Sequence, residues 1–310
     1  MKRFRTWMLV LIAALVWAGA VRSQEQPKRP APPALPPGIK LLRDLAYVEG
    51  GHERNRLDLY LPEKAEGRLP VIVWIHGGAW WAGSKEGCPA VRFATQGHAV
   101  ASINYRLSQH ALFPAQIEDC KAAIRWLRAN AEKYHLDPAR VGVWGASAGG
   151  HLVALLGTTG GVKELEGSGG NLDQPSRVQC VVDWFGPSDF LTMGQQGDKP
   201  GSPVAKLIGG PVPDNQDKAR RASPLTYVSK DAAPFLIMHG DKDNVVPLPQ
   251  SERLADALKK AGAEARLEVI QGNGHGGPGF NTPESRKLIE DFFAKHLGKA
   301  GAESAGPAAR

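Results

Sequence analysis

Residues 140–156 read RVGVWGASAGGHLVALL. Val141, Val143 and Trp144 form a short, mostly β-branched run that reads as a buried strand, and His151 to Leu156 reads as the start of a helix. Between them Gly145-Ala146-Ser147-Ala148-Gly149 places a serine at a strand-to-helix corner, held in a strained turn with its hydroxyl exposed. Glycines flank it because larger side chains would clash where the two elements approach. The alternative reading is an ordinary glycine turn, and the flanking strand and helix argue against it.

Outward from this corner the chain alternates strands and helices. Lys40 to Val48 and Leu57 to Leu61 read as two early antiparallel strands, and Pro70 to Ile75 as a continuous apolar strand of a sheet covered on both faces. His98 to Asn104, Val178 to Phe185, Pro234 to His239 and Ala265 to Ile270 complete a set of eight with the strand before Ser147. Apolar residues at helical spacing run through Phe113 to Tyr134, and Asp137-Pro138 is expected to break the chain before the serine-bearing strand. Further helices are expected over Pro249 to Lys260 and Pro283 to Leu297. The pattern predicts an α/β fold, a doubly wound, mostly parallel eight-stranded sheet whose ligands sit at the carboxyl ends of the strands. Thr158 to Pro175 and Thr192 to Ser223 are too long for simple connections and are expected as loops or a small cap beside that site.

The ends read differently. Residues 1–23 form a signal segment, with a basic start, an apolar run from Trp7 to Ala20 too short for a comfortable membrane span, and expected cleavage near Ser23 or Ala20. That implies a periplasmic or secreted protein with no membrane span in the mature chain; the alternative is an uncleaved N-terminal anchor. Residues 24–39 form a spacer with six prolines, 40–298 a single domain, and 299–310 a polar tail. The net charge of +7 falls to +3 without Lys2, Arg3, Arg5 and Arg22, and no basic run interleaves with aromatics, so nucleic-acid binding has no support. Cys88, Cys120 and Cys180 show no metal spacing. In an exported chain Cys88 and Cys120 are the pair to expect if two cysteines join, but three buried free thiols are the favoured reading, since a large core needs no staple.

A serine hydroxyl needs a general base within hydrogen-bond reach, and the base needs an orienting acid. Asp241 and Asp243 follow the Phe235 to Met238 strand, and Asp243, deeper in the turn, is the preferred acid. His275 lies in a glycine-rich loop after the last strand, with no apolar face to pack on. The order Ser147, Asp243, His275 is that of one known arrangement of these groups. His135 is expected to face solvent, and His151 to pack or cap locally. His76-Gly77-Gly78-Ala79-Trp80 follows the Val71 to Ile75 strand. Its Gly78 and Ala79 amides, with that of Ala148, could hold a developing oxyanion, each donor being worth about 3–4 kcal/mol. Alanine at position 79 is tolerable there if its φ is negative, and the His76 side chain is expected to brace the loop. Trp80 and Trp81 are candidates for lining a substrate pocket, with burial of one of them as packing the alternative. Trp184-Phe185 carries the same two readings.

Together, His76-Gly77-Gly78-Ala79-Trp80, Asn104-Tyr105-Arg106, the Ser147 pentapeptide, His239-Gly240-Asp241-Lys242-Asp243 and Gly274-His275-Gly276-Gly277 resemble the α/β-hydrolase superfamily. More narrowly they resemble its esterase/lipase branch, near hormone-sensitive-lipase-like and BD-FAE-type feruloyl and acetylxylan esterases. The resemblance covers residues 40–298. It implies a serine esterase with Ser147, Asp243 and His275 catalytic, no cofactor and no metal, acting on small acyl or plant-polysaccharide (acetyl or feruloyl) esters. An exopeptidase or amidase with the same three residues is the alternative, although no paired acids of the kind an aminopeptidase needs are evident. An inactive binding module is a remote third.

Overall fold

The computed structural model describes residues 35–65 and 67–298. The expected signal segment, residues 24–34 of the spacer and the tail lie outside the described residues. Eight strands form one sheet: β1 (Ile39–Ala46), β2 (Arg56–Pro62), β3 (Leu69–Ile75), β4 (Ala99–Ile103), β5 (Leu136–Ala146), β6 (Cys180–Trp184), β7 (Phe235–Gly240) and β8 (Ala265–Ile270). Their order is β1-β2-β4-β3-β5-β6-β7-β8. β2 is antiparallel to both β1 and β4, and every other pairing is parallel. From β3 the chain moves outward to β4 and then returns to β5 on the other side of β3. The switch point therefore falls between the carboxyl ends of β3 and β5, where a crevice opens in sheets of this class.

Seven helices accompany the sheet: α1 (Ala115–Ala129), α2 (Ala148–Thr158), α3 (Gln195–Asp198), α4 (Pro203–Ile208), α5 (Gln216–Ala222), α6 (Pro249–Lys260) and α7 (Pro283–Leu297). All seven residues of β3 are buried, as are all eleven of α2, which packs on β5 and β6 and against α1. One face of the sheet packs Val71, Val143 and Ile237 against Ile117, Leu152 and Leu254 of α1, α2 and α6. The other packs Trp74 and Trp144 with Phe93, Phe293 and Leu297, the last two from α7. Each fully buried side chain of this size contributes about 1.5–3 kcal/mol, and together they hold the strand ends in fixed relation.

Two local expectations change. Asp137-Pro138 does not interrupt β5: the strand bulges there, β3 advancing from Leu69 to Val71 while β5 advances from Leu136 to Val141. Proline is tolerated because no ladder hydrogen bond is needed in the bulge, and Asp137 closes it by accepting from the Ala139 amide at 2.9 Å and Arg140 Nε at 2.6 Å. α1 stops at Ala129, where the Asn130 side chain takes the Trp126 carbonyl at 2.9 Å. Cys88, Cys120 and Cys180 are all free thiols, the favoured of the two readings, and the Cys88–Cys120 pairing does not occur. Cys120 and Cys180 pack in opposite cores, which need no staple.

Thr158 to Pro175 is also not a cap. It lies along α1, from which three long cations reach its carbonyls and one acid. Lys121 Nζ donates to Thr159 O and Glu166 Oε1, both at 2.7 Å, and Arg125 donates to Glu166 Oε2 at 2.8 Å and Gly170 O at 3.1 Å. Arg128 holds Pro175 O at 2.5 Å, and beyond the segment Pro138 O at 2.9 Å and Arg177 O at 2.6 Å. These cations are buried and hydrogen-bonded throughout, as such groups must be.

Candidate active site

Ser147 caps α2 with φ 57° and ψ −120°, a strained conformation for a residue with a side chain. The corner is held by its surroundings. The Ser147 amide donates to Trp184 O at 2.8 Å, and its carbonyl accepts from the His151 amide at 3.0 Å. At Gly149 a Cβ would lie 2.7 Å from His76 O and 2.8 Å from Ile75 C, both backbone, so only glycine lets α2 approach the end of β3.

Across the switch point the Ser147 hydroxyl donates to His275 Nε2 at 2.8 Å, and His275 Nδ1 donates to Asp243 Oδ2 at 2.7 Å. The same carboxylate accepts from the amides of Val245 and Val246 through Oδ1, at 2.8 and 2.9 Å. The Asp243 side chain is fully buried and that of His275 is one-fifth exposed. Burial alone would push the Asp243 carboxyl up, but hydrogen bonds from His239, His275 and the two amides outweigh it and hold the group well below the usual carboxylate range. Asp241 stands outside this line, with Oδ1 accepting the Gly272 amide at 2.6 Å. That bond and Lys242 N to Asn273 O at 2.9 Å tie the acid loop to the histidine loop. The Phe185 ring backs His275 at 4.5 Å.

The loop after β3 turns through Gly78, whose carbonyl accepts from the amides of Trp81 and Ala82, both at 2.9 Å. Ala79 has φ 54°, so the alanine is not at negative φ as its type favours; the left-handed conformation is imposed by the turn. Ala79 and Ala148 line a cavity together with Ser147, whereas Gly78 stands one step back from it. Ala148 is the first residue of α2, where amides lack intrahelical partners. His76 braces the loop as expected. Its Nδ1 donates to Gly77 O at 2.7 Å, its Nε2 accepts from Arg54 at 3.2 Å, and its ring stacks on Tyr105 at 4.5 Å. Burial pushes its pKa down to about 4, consistent with the neutral ring these contacts require.

The adjacent tryptophans divide. Trp80 is buried, its Nε1 donating to His151 Nδ1 at 3.2 Å, and only part of it reaches the cavity. Trp81 is 45% exposed, with Lys206 Nζ 4.3 Å above its ring. His151 packs internally, donating from Nε2 to Ala222 O at 2.7 Å, and His135 is exposed. Trp184 and Phe185 are both buried. The rest of the cavity wall comes from Pro187, from Met193, Gln196, Pro203 and Val204 of the Thr192 to Ser223 segment expected beside the site, and from Val245 and Val246 beside Asp243, none of which sequence reading named one by one. The cavity measures about 40 Å³, room for about three water-sized spheres. No acidic residue lines it. Among the described residues, no group of three or more histidine, cysteine or acidic side chains could hold a metal, and no helix is long and apolar enough to cross a membrane.

Known proteins resemble this chain in sequence and fold. Esterase LipQ of Mycobacterium tuberculosis is 34% identical over 82% of this chain, and the chain spans 61% of that relative's length. The structure described as a truncated form of a carbohydrate esterase from gut microbiota superposes with a TM-score of 0.80 at 39% identity, covering 84% of this chain and 97% of its own. An acetyl ester-xyloside bifunctional hydrolase from Caldicellulosiruptor lactoaceticus superposes with a TM-score of 0.67 at 28% identity, covering 79% and 89%. The family model described as BD-FAE matches residues 57–258, from the second strand to the helix after the acid loop. That span takes in the sheet's switch point and the Ser147 corner, and the chain belongs to the BD-FAE family of α/β-hydrolases.

Proposed function

We propose that the protein is an exported serine carboxylic-ester hydrolase that works through an acyl-enzyme and prefers short acyl groups carried on carbohydrate. The observation that carries this reading is the hydrogen-bonded line from Ser147 through His275 to Asp243, opening on a cavity that Ala79 and Ala148 share. In this reading His275 takes the Ser147 proton as Oγ attacks the ester carbonyl, then gives it to the leaving alcohol. Asp243 holds His275 with Nδ1 protonated and stabilises the imidazolium. The Ala79 and Ala148 amides, with Gly78 behind them, receive the charge on the tetrahedral oxyanion. Water then repeats the sequence on the acyl-enzyme.

The cavity ranks the acyl groups. The apolar cavity beside Ser147, about 40 Å³ and open on one side, favours a short acyl group such as acetyl over a feruloyl ring. The gut-microbiota structure named as a carbohydrate esterase supports a sugar ester, and Trp81 with Lys206 offers an aromatic face and a cation to the alcohol side. An exopeptidase would need acids to hold a substrate ammonium, and the cavity has none. Export rests on residues 1–23 and is tested by N-terminal sequencing of the mature protein. The central test is labelling by a fluorophosphonate probe together with turnover of acetylated xylan, methyl ferulate, nitrophenyl esters and aminoacyl anilides. Ser147→Ala is expected to abolish both labelling and turnover. Undiminished hydrolysis in that variant, or anilides cleaved faster than esters, would overturn the reading.

A further inference from the structure

Behind Asp243 lies a second histidine that the proposed chemistry does not use. We propose that His239, with Ser251 behind it, is a positioning residue for Asp243: its Nε2–H pins the carboxylate oxygen that orients His275. This rests on the catalytic roles proposed above.

His239 stands near the end of β7 and is fully buried. Its Nε2 lies 2.8 Å from Val246 O and 3.1 Å from Asp243 Oδ2. Both neighbours can only accept, so Nε2 carries the hydrogen and shares it between them. Nδ1 lies 2.6 Å from Ser251 Oγ of α6, and the hydroxyl donates to it. Donor on one side and acceptors on the other thus select a single tautomer.

The geometry at Asp243 gives this bond its consequence. Oδ1 takes two backbone amides, and Oδ2 takes His275 at 2.7 Å and His239 at 3.1 Å. A carboxylate offers about four acceptor positions, and all four are filled. The His239 bond fixes the carboxylate plane from the side opposite His275 and withdraws electron density from the shared oxygen. The groups facing His239 come from three elements: Asp183 of β6 as a charge, Asp243 and Val246 O of the acid loop, and Ser251 of α6, with the Phe185 ring 6.4 Å away. The His239 hydrogen bond is one of those that hold the Asp243 carboxyl below the usual carboxylate range. Without that N–H the acid becomes a stronger acceptor and holds the imidazolium form of His275 more tightly.

The experiment compares His239→Phe, His239→Gln and Ser251→Ala in the full mature chain, with nitrophenyl acetate across pH and with nitrogen NMR of the histidine rings. The wild type is expected to show His239 protonated at Nε2. His239→Phe is expected to lower kcat roughly 10–100-fold, the worth of a hydrogen bond to an ionised group, with KM almost unchanged. The acidic limb of kcat/KM should move to higher pH. His239→Gln, which keeps a donor, should restore most of kcat. Ser251→Ala, a milder change that survives even if the Phe variant does not fold, should move kcat and the limb in the same directions by less. A wild-type rate and limb in His239→Phe, equal losses in the Phe and Gln variants with the limb unmoved, or no effect of Ser251→Ala with no preferred tautomer would overturn the proposal. If Ser147→Ala keeps turnover, the proposed function itself fails; if Ser147→Ala is inactive while His239→Phe is normal, only the positioning role does.

Discussion

Replacing Asp243 with asparagine tests the site at its most constrained point. Two fixed backbone amides face Oδ1 and two ring N–H groups face Oδ2. An asparagine keeps one acceptor, and the immobile amides of Val245 and Val246 claim it. Its NH2 then points at His275 and His239, both of which also donate. His275 can relieve the clash only by moving its hydrogen to Nε2, where it faces the Ser147 hydroxyl and can no longer accept its proton. Trapping the base in the wrong tautomer costs about 10⁴-fold in kcat, close to 5 kcal/mol. KM should stay within about threefold, since Asp243 does not line the cavity. The assay is steady-state hydrolysis of nitrophenyl acetate, with a circular dichroism melt to establish folding. Asp241→Asn is the control: its carbonyl can still accept from the Gly272 amide, so kcat should change less than about threefold. A rate for Asp243→Asn within tenfold of wild type, or an equal loss in Asp241→Asn, would refute the reasoning.

Other outcomes follow from the loop, the core and the cavity. Gly78 sits at φ 109°, and a Cβ there would lie 2.7 Å from Ala82 C, so Gly78→Ala should displace the oxyanion loop and lower kcat about 100-fold in the nitrophenyl acetate assay. Ala79→Gly should leave kcat within about threefold and the urea midpoint nearly unchanged, because relief of about 1 kcal/mol of left-handed strain is offset by greater freedom of the unfolded chain. Burial raises Asp183 to about 6, against the lowering effects of the Gly186 amide and His239. Below about pH 4 folded and unfolded chains both hold this proton. Between about pH 4 and 6 only the unfolded chain releases it, so stability falls by about 3 kcal/mol as pH rises and stays down above. Asp183→Asn should therefore raise the urea midpoint at pH 7 and not at pH 4; an equal change at both would contradict it. Across nitrophenyl acetate, butyrate and octanoate, kcat/KM should fall at least tenfold by the octanoate, and Met193→Ala should extend the range, since a longer chain outgrows about 40 Å³.

How legible each part was depends on how local its cause is. The strands were readable because burial on both faces leaves continuous apolar runs such as Val71 to Ile75, and α6 and α7 begin at Pro249 and Pro283, where the sequence places them. Ser147, Asp243 and His275 stood out because each sits in a glycine-rich or acidic loop directly after a strand. The length of Thr192 to Ser223 marked it as a segment beside the site, but its individual wall residues were opaque: α3 and α4 have four and six residues, too short to show a period. The placement of Thr158 to Pro175 was opaque for another reason. It depends on Lys121, Arg125 and Arg128 of α1, whose partners there lie 38 to 47 residues away along the chain. The positive φ of Ala79 was not readable from residue type at all, being forced by the turn at Gly78.

The division of labour around the cavity has a consequence for descent. Met193, Gln196, Pro203 and Val204 arrive on one insert between β6 and β7, while Ser147, Asp243 and His275 arrive on the strand ends. Most of the wall that is not part of the Ser147 and Asp243 loops is therefore inherited on a stretch of chain separate from the chemistry. An insert transplanted from a relative can reset which acyl chains enter without disturbing the hydrogen bonds that make the serine reactive. New appetites can arise in such a scaffold by exchange of about thirty residues, with the engine left as it was.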